Sequence, residues 1–214
     1  MGTESEFFRA LSDRLKVDLP GEEAQKRLSR QKNYSLTRLI AKNPAHLKSA
    51  VMIILWPEDR AMRCLLIRRP VYPGVHSGQV AFPGGKYEEE DGSLLQTAIR
   101  ETKEEVGVAI SEMEVAGTLS PLYIPVSNYL VYPYVSVLRT RPSLVLNEKE
   151  VERVLDFELK RLHGKEQIKE KTMQIREGLN VKIPYYEVDD FEVWGATAMI
   201  ISELLAVLED ITFS

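Results

Sequence analysis

The feature that most limits what this chain can fold into is a cluster of three carboxylates on one face of a helix, in Arg100-Glu-Thr-Lys-Glu-Glu-Val-Gly-Val108. The stretch from about Ser93 to Val106 reads as one well-marked helix. Asp91 or Ser93 is available to cap its start, and Gly107 to close its end. At about 100° per residue, Glu101, Glu104 and Glu105 fall within an arc of roughly 100°. Leu95, Ala98, Ile99, Thr102 and Val106 form a separate stripe suited to a core, and Lys103 points away from the carboxylates. Glu101 facing Glu105 costs about 0.2–0.5 kcal/mol as an i,i+4 pair of like charges. A hard divalent cation reverses that sign. Oxygen ligands at this spacing suit Mg²⁺ or Mn²⁺, which keep several waters and share the rest of their shell with phosphate.

An acidic helix face taken alone is most often merely solvated. Its context here argues for more. Phe82-Pro-Gly-Gly-Lys86 follows a strand candidate and leads through a short loop into the helix, so bare backbone at Gly84 and Gly85 can approach a phosphate closely. Arg100, one step before the first carboxylate, can fix the loop or the carboxylates through forked hydrogen bonds.

Around that centre the chain reads as one domain of generous size. With 214 residues, 44 % hydrophobic and 28 % charged, its composition is that of an ordinary globular protein. A chain of this length buries roughly 70 % of the surface that its unfolded form exposes. A net charge of −4 without a long basic block argues against a nucleic-acid or membrane partner, and an anionic ligand would need local cations. The single cysteine, Cys64, sits in an apolar run and reads as a buried, inert thiol. No apolar stretch approaches about 18 residues, and the polar start Met1-Gly-Thr-Glu-Ser-Glu6 does not read as a signal peptide, so the cytoplasm is the expected location.

Phe7, Phe8, Leu11 and Leu15 recur at helical spacing, and the Leu19-Pro-Gly21 break precedes a second, polar helix over roughly Glu22–Arg30. Strands are expected at Ala50–Leu55 and Met62–Arg69, either side of the turn Trp56-Pro-Glu-Asp-Arg60. Further strands are expected at Gln79–Phe82, Met113–Leu119, Tyr129–Leu138 and Val181–Val188, with a weaker pattern at Val154–Leu159. Pro121–Asn128 reads as a loop, Gly164–Glu177 as a charged, flexible insertion, and Thr197–Leu208 as an apolar closing helix. These elements suggest a mixed α/β sheet sandwiched by helices.

The central segment resembles the signature of the Nudix hydrolases. That signature is Gly, five residues, Glu, seven residues, Arg-Glu, an apolar residue, any residue, Glu-Glu, any residue, Gly, apolar. The chain supplies Gly85, Asp91, Arg100-Glu101, Glu104-Glu105, Gly107 and Val108. It departs from the pattern in three ways. Asp91 replaces the first Glu, one extra residue separates it from Arg100, and Thr102 stands at the apolar site. Upstream, Leu65, Leu66, Arg69, Gly78 and Phe82 resemble the additional motif of coenzyme A pyrophosphatases, while Ile67, Pro70 and Gly74 stand where that group has Thr, Ser and Arg. His76-Ser-Gly-Gln-Val-Ala-Phe-Pro-Gly-Gly85 and Val193-Trp-Gly-Ala-Thr-Ala198 also look like that group.

The resemblance implies an α/β/α sandwich with a mixed sheet over residues 33–214, and an appended N-terminal helical segment over 1–32 that serves packing or homodimer contacts. It implies that Glu101, Glu104 and Glu105 hold Mg²⁺ or Mn²⁺. The base is Glu104 or Glu150, the latter reaching the site from a late loop unless it is only a surface carboxylate. Arg69, Gly84, Gly85 and Lys86 are the expected substrate contacts, with Arg100 completing the catalytic set. His76 reads more plainly as a loop residue satisfying its neighbours, and Trp194 with Met199-Ile-Ile201 as core. The implied reaction is cleavage of a pyrophosphate link in a small nucleotide, coenzyme A or acyl-CoA first and ADP-ribose as the rival. A non-catalytic nucleotide sensor on the same fold is the reading from another class. Retention of Arg100, Glu101, Glu104 and Glu105 together argues against the sensor.

Overall fold

The run Ala50–Leu55 is apolar at every position because both of its faces are covered. In the computed structural model, which describes residues 4–30, 34–73, 76–176, 178–209 and 211, this run lies in a long central strand. Side chains alternate across a strand. Ala50, Met52, Ile54 and Trp56 enter one core cluster, whereas Ile53 and Leu55 enter another. The expected boundary between residues 32 and 33, and the positions Gly74 and Glu177, lie outside the described residues.

In chain order the elements are α1 (Glu4–Arg14), α2 (Gly21–Gln25), α3 (Leu36–Lys42), β1 (Leu47–Glu58), β2 (Ala61–Arg68), β3 (Val80–Ala81), β4 (Gly84–Lys86), α4 (Leu94–Val106), β5 (Glu114–Thr118), β6 (Leu122–Ile124), β7 (Tyr129–Val137), β8 (Arg153–Glu158), β9 (Lys169–Arg176), β10 (Leu179–Val188), β11 (Phe191–Trp194) and α5 (Gly195–Leu208). The main sheet runs β3-β2-β1-β7-β5, with β8 paired to β2, β4 to β1 and β6 to β7. β1 and β7 are parallel, Leu47 opposite Tyr129 and Leu55 opposite Val137, while the other pairs are antiparallel. The sheet is therefore mixed.

One face of the sheet is covered by α4, whose Ala98, Ile99 and Val106 meet the even-numbered side chains of β1. The other is covered by α5 and the N-terminal helices, through Ile200, Ile201 and Leu204 with Phe7, Leu11 and Leu15. This is the α/β/α sandwich. The amino-terminal helices thus share the main core. The second helix is shorter than its polar stretch suggests, since a tight turn over Lys26–Leu28 continues α2.

Several segments differ from the sequence-based expectation, α3 and β11 among them, where the sequence reading placed no element. Within Pro121–Asn128, β6 pairs with β7, Leu122 opposite Val131, a partnership too short to leave a periodic signal. Gly84–Lys86, to which the sequence reading assigned no strand, pairs with β1, Val51 opposite Gly84 and Ser49 opposite Lys86. The charged stretch beginning at Gly164 contains β9, which joins β10 and β11 in a second, three-stranded sheet. Its charge is matched across the strands by Lys182–Glu170 at 3.1 Å, Lys169–Glu187 at 2.9 Å and the pair Lys171–Glu192. Among the described residues no helix is long and apolar enough to cross a membrane.

Leu66, fully buried and opposite Leu155, sits where β2 joins β1 and β8. Truncation to alanine leaves a cavity in a close-packed layer, so Leu66→Ala should lower the unfolding free energy by about 2–5 kcal/mol in a urea titration. A loss below about 1 kcal/mol would contradict a close-packed junction there.

Candidate active site

The acidic helix is set by its caps. Ser93 Oγ accepts a hydrogen bond from Gln96 N at 3.2 Å at the start of α4, and Gly107 ends it in the left-handed region at φ 79°. Asp91 is therefore released for another task. It accepts from Arg100 Nε at 2.6 Å and Nη2 at 3.0 Å, from Thr97 Oγ1 at 2.7 Å and from Glu88 N at 3.1 Å. The Arg100 guanidinium, with these further donors, holds the Asp91 carboxyl well below the usual carboxylate range. Arg100 in turn donates through Nη1 to Glu101 at 2.9 Å and to Glu104 at 3.3 Å, and through Nη2 to the Lys86 carbonyl at 3.2 Å. One guanidinium thus ties two helix carboxylates to the strand that carries the glycines.

Glu105 faces the other way, into the protein, with a side chain 1 % exposed. It accepts from Gly84 N at 2.8 Å, and Arg69 Nη2 lies 3.4 Å from its second oxygen while donating to the Gly84 carbonyl at 2.9 Å. Burial pushes its pKa up to about 7, against the opposing pull of Arg69 and the Gly84 amide and with a further push from Glu101 and Glu150. Burial also raises Glu101. A Cβ at Gly85 would lie 2.4 Å from the Glu101 carboxylate, so a side chain there would displace that carboxylate from its place beside Arg100.

Glu150 arrives from the loop after β7. That loop is laced to the end of α4 by Val145 N to Val106 O at 2.9 Å and Asn147 N to Glu105 O at 3.0 Å. Gly107 permits the approach, because a Cβ on it would meet Val145 at 2.8 Å. Asn147 Nδ2 donates to Glu150 at 3.2 Å. Glu101, Glu105 and Glu150 each offer an oxygen within 4.8 Å of the others. Glu104 is outside that group, exposed and held from behind by Arg100.

Beside Gly84, Gly85 and Lys86 opens a cleft of about 770 Å³. Arg69 and His76 line it, with His76 Nδ1 2.9 Å from Gln79 Oε1, so its ring is satisfied within its own loop. The remaining wall is largely apolar and aromatic, including Leu28, Tyr34, Tyr123, Met173 and Trp194. Ile200 and Ile201 are core, whereas Met199 and Trp194 also reach the cleft. Cys64 is buried and its thiol is pushed up by burial, which leaves it inert.

A family model of the NUDIX domain matches residues 46–175. The chain is 36 % identical over 154 residues to a Yersinia pestis protein named uncharacterized Nudix hydrolase NudL, covering 72 % of this chain and 75 % of that one. The protein of the same name from Yersinia pseudotuberculosis matches equally. Among solved structures, a MutT/nudix family protein from Enterococcus faecalis is similar in fold, with a TM-score of 0.51 and 19 % identity, covering 88 % of this chain and 75 % of that one. This chain belongs to the Nudix family.

It is a Nudix hydrolase, a pyrophosphohydrolase. Nudix enzymes use divalent metal ions, and the donor set fits one: three carboxylates converge, one of them buried and short of compensating charge. Of the residues expected from sequence, the Nudix fold gathers Glu101, Glu105 and Glu150 in one place and Arg69, Gly84, Gly85 and Lys86 along the adjoining cleft. Sequence reasoning missed Asp91 as the anchor of Arg100, and it missed Tyr34 and Leu28 as cleft wall. The i,i+9 pairing of a carboxylate with the arginine was a usable signal for the first. Nothing in the local sequence marks the other two.

The buried carboxylate makes stability depend on pH in a defined direction. Glu105 binds its proton more tightly in the folded than in the unfolded chain, so its contribution is fully present below its ordinary pKa of 4.5 and is lost as pH rises through about 7. In chelator, the wild type should therefore lose about 3 kcal/mol relative to Glu105→Gln between pH 4.5 and pH 8. Saturating Mg²⁺ should abolish that difference in slope. Parallel pH profiles of denaturation for the two proteins in chelator would show that Glu105 is ionised without cost.

Proposed function

We propose that this Nudix hydrolase cleaves the pyrophosphate link of coenzyme A or an acyl-CoA, giving 3′,5′-ADP and 4′-phosphopantetheine. The observation that carries the reading is the junction of two features. The three-carboxylate group lies against Gly85, and Gly84 to Lys86 border a cleft whose volume suits a nucleotide with a long arm. Leu65, Leu66, Arg69, Gly78 and Phe82, in the spacing of the coenzyme A pyrophosphatase motif, support the same choice.

In this reading Glu101, Glu105 and Glu150 hold Mg²⁺ or Mn²⁺. When bound, the metal supplies charge neutralisation on the bridging phosphates and a lower pKa for the attacking water. The chain's own residues do the positioning. Arg100 fixes Glu101 and Glu104, Arg69 holds the Gly84 carbonyl and Glu105 together, and backbone at Gly84–Gly85 leaves room for phosphate oxygens. Either Glu104 or Glu150, both exposed, takes the proton from the water in this reading. Lys86 and Arg30 border the cleft as cations for further phosphate charge.

Chelator should abolish turnover and Mg²⁺ or Mn²⁺ should restore it. Glu105→Gln should lower kcat by at least about 100-fold with the fold intact, a loss of roughly 2.7 kcal/mol in transition-state stabilisation. Lys103→Gln, on the exposed side of the same helix, should stay within about twofold, since surface changes away from the site rarely reach 0.5 kcal/mol. Equal effects of the two would remove the carboxylate argument.

The substrate choice is tested by one phosphate. Coenzyme A differs from dephospho-coenzyme A by its 3′-phosphate, and a charge-assisted contact contributes roughly 1.5–3 kcal/mol. Coenzyme A should therefore lead in kcat/KM by about 10- to 100-fold. Lys86→Ala should narrow that lead, whereas Arg69→Ala should slow both compounds because Arg69 is tied to Glu105. Equal rates for the two compounds, or faster cleavage of ADP-ribose, would replace the coenzyme A reading with its rival.

A further inference from the structure

Glu203 lies in the middle of α5, 0 % exposed, far in sequence from the acidic helix. A buried carboxylate is costly unless its lone pairs are met. Here one oxygen accepts from Gly21 N at 3.2 Å and Ser120 N at 3.1 Å, and the other from Gln25 Nε2 at 2.8 Å. Gln25 is itself fully buried and also donates to the Ser120 carbonyl at 3.3 Å, while Ser202 Oγ donates to the Ala24 carbonyl at 2.7 Å. Three pieces of chain meet on this one side chain: α2, the turn before β6, and α5.

Two of those pieces continue directly into the cleft. From α2 the chain passes through the tight turn to Leu28, and from Ser120 it passes into β6 with Leu122 and Tyr123; all three residues line the cleft. The two walls are joined again by Tyr123 N donating to Tyr34 Oη at 3.2 Å. Leu28 and Tyr34 lie outside the segment 46–175 that the family model matches, whereas Leu122 and Tyr123 lie within it.

We infer that Glu203 is a positioning residue for substrate selection: by docking residues 21–28 and the turn at Ser120 onto α5, it holds the apolar wall that receives the long, uncharged arm of the substrate. The inference rests on the reading that the substrate carries such an arm. The reacting phosphates meet Gly84–Lys86 and the carboxylates of α4, so loss of the wall weakens binding of the arm without touching the chemistry. A short sugar arm does not reach the wall and is indifferent to it.

Glu203→Met keeps the volume and removes every acceptor, leaving three donors facing an apolar group. Glu203→Gln is the conservative variant, because its amide can pair with Gln25 once that side chain turns over. With Mg²⁺ present, Glu203→Met should raise KM for coenzyme A by about tenfold or more with kcat within about threefold, and ADP-ribose should change by less than about threefold. Glu203→Gln should recover most of the KM. Leu28→Ala, which leaves the carboxylate junction in place, should raise KM in the same sense and serves if Glu203→Met does not fold.

A readout without turnover separates the inference from the substrate reading. Amide exchange at Gly21 and Ser120 should accelerate in Glu203→Met, and binding of the apolar dye 8-anilinonaphthalene-1-sulfonate in the cleft, displaced by coenzyme A in the wild type, should weaken in Glu203→Met and Leu28→Ala alike. If wild type cleaves neither compound, the substrate reading fails and the dye decides the inference. Equal losses of kcat for coenzyme A and ADP-ribose, or faster exchange with unchanged KM and dye affinity, would make Glu203 a stability residue and overturn it.

Discussion

A carboxylate has been taken out of water at the seam between α4 and β4, and much of the architecture around it follows from the need to keep Glu105 there. Burying an ionised carboxyl costs several kcal/mol unless donors replace the lost water. The donors available are the Gly84 amide, fixed by the pairing of β4 with β1, and the guanidinium of Arg69, a residue that follows β2 and is held by its backbone amide donating to the Gln79 carbonyl at 3.0 Å. The helix can satisfy Glu105 only by lying close against β4. That closeness brings Glu101, one turn earlier, onto Gly85, where a side chain would push the carboxylate aside. The raised pKa of Glu105 shows that the donors do not fully compensate the burial. The protein keeps a locally unfavourable arrangement where a divalent ion completes it, which is where conflict between local preference and function is expected.

The legible part of this molecule is the part whose signals are local. Ser93, the apolar stripe and Gly107 mark α4 within a few residues of its true ends, because caps and 3.6-residue periodicity act over short distances. The strand β1 is legible as an apolar run, but the covering of its two faces depends on α4 and on the distant α5, and its parallel partner β7 lies 82 positions along the chain, Leu47 opposite Tyr129. Short or charged strands are not legible for the opposite reason. β6 has three residues, and β9 alternates charges whose partners sit on β10 and β11, so the pattern becomes that of a strand only once the neighbours are in place.

The site divides in the same way. Glu101, Glu104, Glu105 and Arg100 are grouped by the helix repeat itself and can be read off directly. That Glu150 rather than Glu104 joins Glu101 and Glu105 depends on a loop laced to the end of the helix by two backbone hydrogen bonds, and on the absence of a Cβ at Gly107. The cleft is less legible still. Its wall joins residues near 30, 123, 173 and 194, and the bond that supports it, Gln25 to Glu203, spans 178 positions. The coenzyme A-like motif speaks of residues 65–85, whereas the space for a long arm is set largely elsewhere.

The departures from the Nudix signature are themselves informative about what the signature is for. Asp91 is one methylene shorter than the glutamate that it replaces, and one extra residue separates it from Arg100. The extra length is taken up in a tight turn over Glu89–Asp91, with Gly92 in the left-handed region at φ 69° before Ser93 begins α4. From that turn the shorter carboxylate reaches Arg100 with both oxygens, at 2.6 and 3.0 Å, and also collects Thr97. The two departures offset each other. What the pattern preserves is a forked pairing that leaves the third nitrogen of Arg100 aimed at Glu101 and Glu104, a geometry that a lysine point charge would not reproduce. Thr102 is the departure left uncompensated: it is fully buried at the apolar position on the back of the helix, and its Oγ1 has no hydrogen-bond partner among the described residues.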